Sequence, residues 1–340
     1  MNSTARLLSA LAASAALLLL CVWLLVSVSL FGRLLGDLKG RRIDMRTQPE
    51  TVVIVSPAGR EKYLTVLLPY VKRLVQNGVA VGWQLWENTR SAADAAFIHG
   101  LAREHSWISV VPYSWSAVKD KGTCRGVTYF LGACTHPDVI YVKMDDDMVW
   151  LDSPDAFRAF VLYARSCPEN VFVSANVINN VACEWLTKRA QAGTPRVADW
   201  CGLLSSTLLR FPWFQESGAH AESILRRALP DPAERTSVPQ VWRWPCMLSI
   251  NCVAWKGETL GRLLREHPTS PRLGQGFLGV DEHWLAIRCA TRAAEYHVFG
   301  SFVAVHFAFA SQEKYLLATD LLEEYARLAR RLTESRSPFG

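Results

Sequence analysis

One stretch near the middle of the chain, from Val139 to Val149, constrains the fold most. Its sequence is VIYVKMDDDMV, a short apolar run that ends in three consecutive aspartates. The β-branched and aromatic residues of the run predict a buried strand. Asp145, Asp146 and Asp147 repel one another and are costly to desolvate, so their proximity predicts a neutralising cation. Carboxylate oxygen is the ligand that Mg²⁺ and Mn²⁺ prefer. A solvated acidic loop is the alternative interpretation.

Strands and helices alternate before this stretch. Short apolar runs are followed by apolar residues at helical spacing, and Pro69 is expected to kink the first helix. Such alternation predicts a parallel, Rossmann-like sheet with helices on both faces. The aspartates then stand at the carboxyl end of the fourth strand, the edge at which open α/β sheets bind ligands. The predicted order is strand 51–56, helix 61–76, strand 79–86, helix 91–104, strand 107–112 and helix 127–134.

The chain after the aspartates has a less regular pattern. A helix is predicted to begin at Ser153-Pro154 and to end near Ser166. The next strand, 171–175, is expected to deliver Asn176, Asn179 and Asn180 into a loop. No clear period follows until about Pro245, which is typical of a lid or a substrate loop. Two further strands and a final helix are predicted over 247–255, 301–309 and 317–335.

Composition narrows the class of protein. The chain has 340 residues, half of them hydrophobic, which is enough to bury a sizeable core. Its net charge of +6 is spread along the sequence, too diffuse to indicate nucleic-acid binding. None of the nine cysteines forms a CxxC pair, so a zinc site is unsupported, and reduced, mostly buried thiols are favoured over disulfides.

The N-terminal segment from Leu7 to Phe31 has 25 residues and no charged side chain. That length spans a bilayer core, whereas the apolar region of a cleaved signal peptide is shorter. An uncleaved transmembrane helix is therefore predicted. Basic residues are more frequent after the segment than before it, which places the large C-terminal part in the cytoplasm, with a Golgi-type lumenal orientation as the alternative.

The overall arrangement resembles the GT-A nucleotide-sugar glycosyltransferases. The residues that carry the resemblance are Asp145 to Asp147 after a strand of a Rossmann-like half, Asp281-Glu282 in the less regular half, and the late His306. It implies an α/β GT-A fold, a Rossmann-like mixed sheet flanked by helices, preceded here by one transmembrane helix. The expected regions are an anchor (1–32), a basic connector (33–50) and a catalytic domain (51–340), the last divided into a nucleotide-sugar half (51–150), an acceptor half (151–316) and a C-terminal helix and tail (317–340).

The resemblance also implies roles for the acidic motif. Asp147 matches the direct ligand of a divalent Mn²⁺ or Mg²⁺ ion that bridges the donor diphosphate, and Asp145 matches the acid that contacts ribose or reaches the metal through water. Asp146 lies between them, on the donor side. His306 matches a further metal ligand that many members take from a late strand. A packed histidine on a half-buried strand is the alternative.

Catalytic and substrate-binding residues are implied in the same way. Asp281 or Glu282 occupies the place of the general base in inverting members, although Asp281 is equally suited to cap a helix. The basic residues before the metal strand are expected near the donor phosphates, with a solvated loop as the alternative. Polar and aromatic residues of the second half are assigned to the acceptor, with core packing as the alternative for the tryptophan. These residues are Lys119, Lys121 and Arg125 for the donor, and Asn176, Asn179 and Trp255 for the acceptor.

The function implied is a membrane-anchored, metal-dependent glycosyltransferase that moves a sugar from a nucleotide-sugar donor to a hydroxyl of a glycan, a glycolipid or another acceptor. Two alternatives remain. Asp145 and Asp147 also fit the DxD nucleophile motif of haloacid-dehalogenase-like phosphatases, although that family usually carries it on its first strand. The chain is alternatively a non-catalytic membrane protein that binds carbohydrate or nucleotide through the same fold.

Overall fold

The fold is built on a mixed β-sheet with helices packed against it. We describe it from a computed structural model, which covers residues 51–112, 130–168, 171–192, 217–229, 231–244, 250–266 and 295–334. Within these ranges the sheet has nine strands. Eight follow the order β3-β2-β1-β4-β8-β6-β9-β5, and β7 pairs with β9 beside this path.

The first half of the sheet is parallel. Strands β1 to β4 pair in the order β3-β2-β1-β4, with the first helix leading from β1 to β2 and the second from β2 to β3. The predicted order is confirmed for the four strands and the first two helices, and the acidic motif follows the fourth strand. The helix predicted over 127–134 begins outside the described residues. The elements are β1 (Thr51–Ala58), α1 (Glu61–Gln76), β2 (Gly82–Glu87), α2 (Ala92–Glu104), β3 (Ile108–Val111) and β4 (Val139–Met144).

Local sequence explains these elements. The apolar face of α1 buries seven side chains against the sheet and its neighbours, and the helix continues through Pro69. The side chain of Ser91 accepts a hydrogen bond from the backbone N–H of Asp94 and so begins α2. Trp83 and Trp86 of β2 are fully buried. The first half is therefore a parallel sheet whose strands are covered by amphipathic helices.

The second half is mixed. Strand β8 runs antiparallel to β4 and to β6, β9 runs parallel to β6, and β5 and β7 both pair antiparallel with β9. The elements are β5 (Met148–Leu151), α3 (Pro154–Ser166), β6 (Val171–Ile178), α4 (Val181–Gln191), α5 (Gly218–Ala228), α6 (Pro232–Thr236), β7 (Val241–Trp244), β8 (Cys252–Lys256), α7 (Gly257–Glu266), β9 (Glu295–His306), α8 (Ala310–Leu316) and α9 (Leu321–Glu334).

Strand β9 bends in its middle. Ala175 of β6 pairs with Phe299, but the next residue, Asn176, pairs with Val303, so β9 bulges between the two pairs. Gly300 lies in this bulge, where an added Cβ would stand 2.5 Å from the carbonyl oxygen of Val238. The bulge divides β9 into a first part, which pairs with β7 through Tyr296 to Phe299, and a last part, which pairs with β5 through Ala304 to His306.

Several predictions for this half were wrong in detail. Asn176 lies inside β6 and not in the loop that follows it, because the strand is three residues longer than predicted. The described parts of the region from Asn180 to Pro245 contain three helices and a strand, whose short lengths hide their period. The last strand begins at Glu295 and not at residue 301. The predicted final helix is confirmed as α9, and a short helix that was not predicted, α8, precedes it.

The predicted membrane segment, from Leu7 to Phe31, and the basic connector lie outside the described residues. Among the residues that are described, we find no helix with the length and apolar character needed to cross a bilayer. Four of the nine cysteines are described, and each is a buried thiol outside any disulfide: Cys134, Cys167, Cys183 and Cys252.

Candidate metal centre

The turn between β4 and β5 carries the three aspartates to the end of β9. Strand β5 pairs antiparallel with β9, and Met148 stands opposite His306. The carbonyl oxygen of Asp147 accepts a hydrogen bond from the backbone N–H of Phe307, at 2.9 Å. The backbone N–H of Asp145 donates to the carbonyl oxygen of Asn251, also at 2.9 Å. Backbone pairing therefore brings His306 beside residues more than 150 positions earlier in the sequence.

Three side chains converge at this point. Asp145, Asp147 and His306 each offer one ligand atom, and these atoms lie within 4.8 Å of one another. Asp147 and His306 are 2% and 3% exposed. His306 Nε2 lies 3.3 Å from Asp147 Oδ1, which is an ion-pair distance without hydrogen-bond alignment. Oxygen and imidazole nitrogen together form a donor set suited to Mn²⁺ or a similar divalent cation.

Two atoms of this group are buried and lack a hydrogen bond within the described part of the chain. They are Oδ1 of Asp147 and Nδ1 of His306. Buried polar atoms are nearly always hydrogen-bonded, because an unsatisfied one costs about 1–3 kcal/mol. Potential ligand atoms that lack a hydrogen bond, beside a cluster of carboxylates, are consistent with a cation-binding site.

Electrostatics favour an ionised Asp147. Burial by itself raises the pKa of this carboxyl, but His306 and Arg60 outweigh it and hold the pKa below its usual value. Burial conversely lowers the pKa of His306, and Asp147 outweighs it, so that the net shift is upward. The carboxylate is thus in the charged form that a cation requires.

Asp145 is fixed from the inside of the fold. Its Oδ1 accepts from Lys143 Nζ at 2.5 Å, and its Oδ2 accepts from Asn251 Nδ2 at 2.9 Å. Lys143 is 3% exposed and also donates to the carbonyl oxygen of Ile250, at 2.8 Å. Asn251 in turn accepts from Asn180 Nδ2 at 3.2 Å. Each oxygen of Asp145 keeps a lone pair for a further partner, while its orientation is set by these bonds.

Asp146 points instead towards the turn between β1 and α1. Its Oδ2 accepts from the backbone N–H of Gly59 at 2.9 Å, and its Oδ1 accepts from both Nε (3.0 Å) and Nη2 of Arg60. Nη2 of Arg60 also lies 3.0 Å from Asp147 Oδ2. Burial raises the pKa of Asp146 and the Arg60 charge only partly opposes this. The structure thus places Asp146 against the protein, while its predicted donor contact stays a prediction.

The β1 to α1 turn is shaped for this contact. A Cβ at Gly59 would stand 2.8 Å from the carbonyl oxygen of Asn88, so the turn depends on a residue without a side chain. The carbonyl oxygen of Arg60 accepts from the backbone N–H groups of Tyr63 and Leu64, both at 3.1 Å, which begins α1. The Arg60 side chain extends from this turn towards the acids.

The predicted acceptor asparagines line a cavity of about 340 Å³ beside the carboxyl end of β6. Their amide groups donate within the protein. Asn176 Nδ2 donates to Thr187 Oγ1 at 3.0 Å, and Asn179 Nδ2 donates to the carbonyl oxygen of Phe307 and to Gln312 Oε1, both at 3.0 Å. An acceptor role for the two asparagines stays a prediction. It would have to use their side-chain oxygens, and that of Asn176 already accepts from Thr187 Oγ1 at 3.1 Å.

Trp255 lies in the core. It is 2% exposed, its ring stacks on Tyr141 with centroids 6.2 Å apart, and its Nε1 donates to the carbonyl oxygen of Cys134 at 3.3 Å. These are the contacts of a packing residue, which was the alternative to stacking on a sugar. The remaining predicted site residues lie outside the described ranges: Lys119, Lys121, Arg125, Asp281 and Glu282.

Three residues of the site were not predicted. Arg60, Lys143 and Asn251 bind the aspartates directly. The sequence carries a signal for Lys143 and for Arg60. Lys143 lies inside an apolar strand, two residues before Asp145, so it points to the same side of the strand and is suited to pair with that aspartate. Arg60 follows the end of β1 by two residues and so stands at the edge of the sheet that also receives the end of β4.

Comparisons with known proteins give likenesses at low sequence identity. No family model and no curated protein sequence matches the chain. Among solved structures, it is similar to a mannosyltransferase from Pyrobaculum calidifontis in complex with GDP-Man and Mn²⁺, at 13% identity and a TM-score of 0.43, over 92% of this chain and 83% of that one. It is also similar to a mycobacterial protein (17%, TM-score 0.41, 86% and 76%). A third likeness is to glucosyl-3-phosphoglycerate synthase from Mycobacterium tuberculosis in complex with Mn²⁺, UDP and glucosyl-3-phosphoglycerate (16%, TM-score 0.40, 86% and 81%).

Proposed function

We propose that the chain is a metal-dependent glycosyltransferase, which moves a sugar from a nucleotide-sugar donor to a hydroxyl of a glycan or glycolipid. One observation carries the proposal. Asp145, Asp147 and His306 converge at the carboxyl edge of a parallel half-sheet, and two of their polar atoms are buried without a hydrogen bond among the described residues. Ligands bind open α/β sheets at this edge.

The charges of the site suit a diphosphate. Three aspartates face two buried or half-buried cations, Lys143 and Arg60. Counted with His306 in the neutral form that a metal ligand requires, the group carries a net charge of about −1, which repels phosphate. A divalent cation reverses the sign to about +1, so that a nucleoside diphosphate is attracted only when the metal is present. The dependence on metal follows from this reversal.

The residues of the chain have separate tasks in this scheme. Asp145, Asp147 and His306 would hold Mn²⁺ or Mg²⁺, which when bound supplies the positive charge that stabilises the departing diphosphate. Lys143 and Asn251 hold the carboxylate of Asp145 in one orientation. Gly59 and Arg60 hold Asp146. Ligands fixed in this way need no reorganisation when the leaving group develops its charge.

The acceptor side of the reaction rests on the family resemblance. We assign the general base to Asp281 or Glu282 and the donor phosphate contacts to Lys119, Lys121 and Arg125. A carboxylate base takes the proton of the acceptor hydroxyl as that oxygen attacks the sugar carbon, and the bond from this carbon to the diphosphate breaks.

The phosphatase alternative is disfavoured by the surroundings of Asp145. That reaction needs a free carboxylate oxygen on Asp145 to attack phosphorus. Here Lys143 donates to one oxygen at 2.5 Å and Asn251 donates to the other at 2.9 Å, which lowers the nucleophilicity of both. Release of phosphate from an aryl phosphate, at a rate above that of nucleotide-sugar turnover, would restore this alternative.

The test is a panel of nucleotide sugars with Mn²⁺, with Mg²⁺ and with EDTA, read by thermal stability and by release of nucleoside diphosphate. A ligand that binds the native state raises the melting temperature. We expect the stabilising donor to act only when metal is present. The Asp147→Asn variant keeps the shape of the side chain and should lose turnover by about 100-fold or more. Wild-type turnover in Asp147→Asn, or full turnover in EDTA, would refute the proposal.

We further propose that residues 7–31 anchor the enzyme in a membrane, with the catalytic domain on the cytoplasmic side. Their support is the run of 25 uncharged residues and the basic residues that follow it. The full chain should remain in the membrane fraction after alkaline carbonate extraction, and a chain that lacks residues 1–32 should not. In sealed vesicles, protease protection of the catalytic domain would show the lumenal orientation instead.

A further inference from the structure

Arg60 is the one residue that contacts two of the three aspartates through its side chain, among the contacts that the structure describes. Its Nε and Nη2 donate to Asp146 Oδ1, and its Nη2 lies 3.0 Å from Asp147 Oδ2. Arg60 stands 86 positions before Asp146 in the sequence. The pairing of β1 with β4 brings the two together.

This arrangement determines which carboxylate oxygen of Asp147 has no hydrogen bond. Arg60 takes Oδ2, while Oδ1 faces His306 and has no hydrogen bond in the described part of the chain. Asp146 is not part of the converging group of ligand atoms, because its two oxygens are held by Gly59 and Arg60. The middle aspartate thus positions Arg60, and Arg60 positions the last aspartate.

Burial makes this pairing energetically important. Asp146 and Asp147 are 5% and 2% exposed, and they are adjacent in the chain. Two neighbouring carboxylates that are removed from water destabilise a fold unless a cation or hydrogen-bond donors compensate. Before a metal ion binds, Arg60 is the cation nearest to both of them within the described ranges.

Arg60 is itself held in place by the segment that follows β9. Its guanidinium lies 4.9 Å from the centre of the Tyr63 ring, and its Nη1 is 3.9 Å from Glu313 of α8. Tyr63 donates its hydroxyl hydrogen bond to the same Glu313 carboxylate, at 2.8 Å. The side chain therefore has a fixed direction and not merely a suitable charge.

We propose that Arg60 is the resident counter-ion of the aspartate turn (Asp145 to Asp147), which allows the three acids to fold together without metal and, by pairing with Oδ2 of Asp147, leaves Oδ1 to the cation. The second part rests on the proposed function, since it supposes that a metal binds. Arg60 is a positioning residue in this scheme, because it acts on the metal through Asp147.

The experiment compares melting temperatures of the full chain with and without Mn²⁺. The variants are Arg60→Met, Asp146→Asn and the double variant. Lys62→Met is the matched control, since Lys62 lies two residues after Arg60, on the first turn of α1, and its ammonium pairs with Glu313 at 2.9 Å. Both substitutions to methionine remove one positive charge and keep an apolar stem. Arg60→Gln, which also removes the charge but keeps polar groups that can hydrogen-bond, takes the place of Arg60→Met if that variant is not obtained folded, with the same expected results.

Without metal, Arg60→Met should melt about 5 °C or more below the wild type, and Lys62→Met within about 2 °C of it. Arg60→Met and Asp146→Asn should not be additive, because the second removes a charge that the first leaves unpaired. Saturating Mn²⁺ should raise the melting temperature of Arg60→Met by more than that of the wild type. A role confined to packing would not produce this larger metal effect.

Three results would overturn the proposal: equal losses in Arg60→Met and Lys62→Met, additive losses in the double variant, or a Mn²⁺ shift in Arg60→Met no larger than in the wild type. Unchanged stability with a weaker affinity for nucleoside diphosphate would also overturn it and would assign Arg60 to the donor. If Mn²⁺ does not bind the wild type, the proposed function fails, and the metal-free melting temperatures still decide whether Arg60 is the counter-ion.

Discussion

The two sides of the aspartate turn are neutralised in different ways. Asp145 receives its cation from Lys143, two residues earlier on the same strand, and the lysine side chain is 4% exposed. Asp146 and Asp147 receive theirs from Arg60 on a separate strand end, with a side chain that is 36% exposed. A buried local pair is fixed once β4 forms, whereas a partly exposed pair depends on the tertiary fold and responds to solvent and ligands. The environment of each cation therefore sets how much its loss costs.

The largest effect is expected for Lys143→Met. The substitution leaves Asp145 without its cation and also removes the donor to the carbonyl oxygen of Ile250. Loss of one partner of a buried ion pair costs about 3–5 kcal/mol. Urea denaturation without metal should show a loss of this size, larger than the loss in Arg60→Met. If Lys143→Met loses less unfolding free energy than Arg60→Met, the burial of a cation does not determine how much its removal costs.

A smaller effect is expected for Asn251→Ala. The variant loses the bond from Asn251 Nδ2 to Asp145 Oδ2 and leaves Asn180 without its acceptor, while Lys143 stays in place. The expected loss of stability is about 1–3 kcal/mol. Calorimetry should also show a Mn²⁺ affinity about 10-fold or more below the wild type, because Asp145 is then free to rotate. An unchanged affinity would show that Lys143 alone orients Asp145.

Gly59→Ala tests the opposite side of the turn. The added Cβ would stand 2.8 Å from the carbonyl oxygen of Asn88, so the β1 to α1 turn must shift and the bond from its N–H to Asp146 is strained. We expect a loss of about 1–3 kcal/mol by urea denaturation. Because Arg60 lies on the same turn, Mn²⁺ should recover part of the loss. Gly100→Ala is a suitable control, since its nearest atom is the end of the Arg103 side chain at 3.8 Å.

The smallest effect is expected for Lys188→Met. Lys188 pairs with Glu184 on the surface of α4 at 2.5 Å, and its side chain is 66% exposed. Exposed pairs at this spacing contribute about 0.3–0.5 kcal/mol. The urea midpoint of the Lys188→Met variant should lie close to that of the wild type, and the difference between the two should be larger at low salt than at high salt. A loss of several kcal/mol would contradict the expectation that the cost of removal falls from Lys143 to Arg60 to Lys188 as the exposure of the side chain rises.

Much of the fold was predictable because periodic patterns are local. The alternation of strands and helices placed Asp145 to Asp147 at the end of the fourth strand, and this placement is confirmed. Short elements were missed because four or five residues carry too little period, as in β5 and α6. The end of β6 was misjudged because asparagine is more typical of loops than of strands.

The site was predictable only in its strand-end residues. Asp145, Asp147 and His306 were identified through the family resemblance, and the structure brings them together. The partner of Asp146 was not identified, because the pairing with Arg60 arises from the order of strands and not from any local pattern. Trp255 shows the reverse difficulty, since an aromatic residue has the same signature whether it packs in a core or binds a sugar.

The pairing of Met148 with His306 has a consequence for the choice of ion. Backbone hydrogen bonds between two strands set the separation of the Asp147 and His306 backbones, so the site can widen only by rotation of two buried side chains. Oxygen ligands of Ca²⁺ lie at about 2.3–2.6 Å and those of Mg²⁺ at about 2.0–2.1 Å. A centre of restricted width that includes an imidazole nitrogen should therefore discriminate against large ions with a preference for oxygen, so Ca²⁺ would be a poor substitute for Mn²⁺.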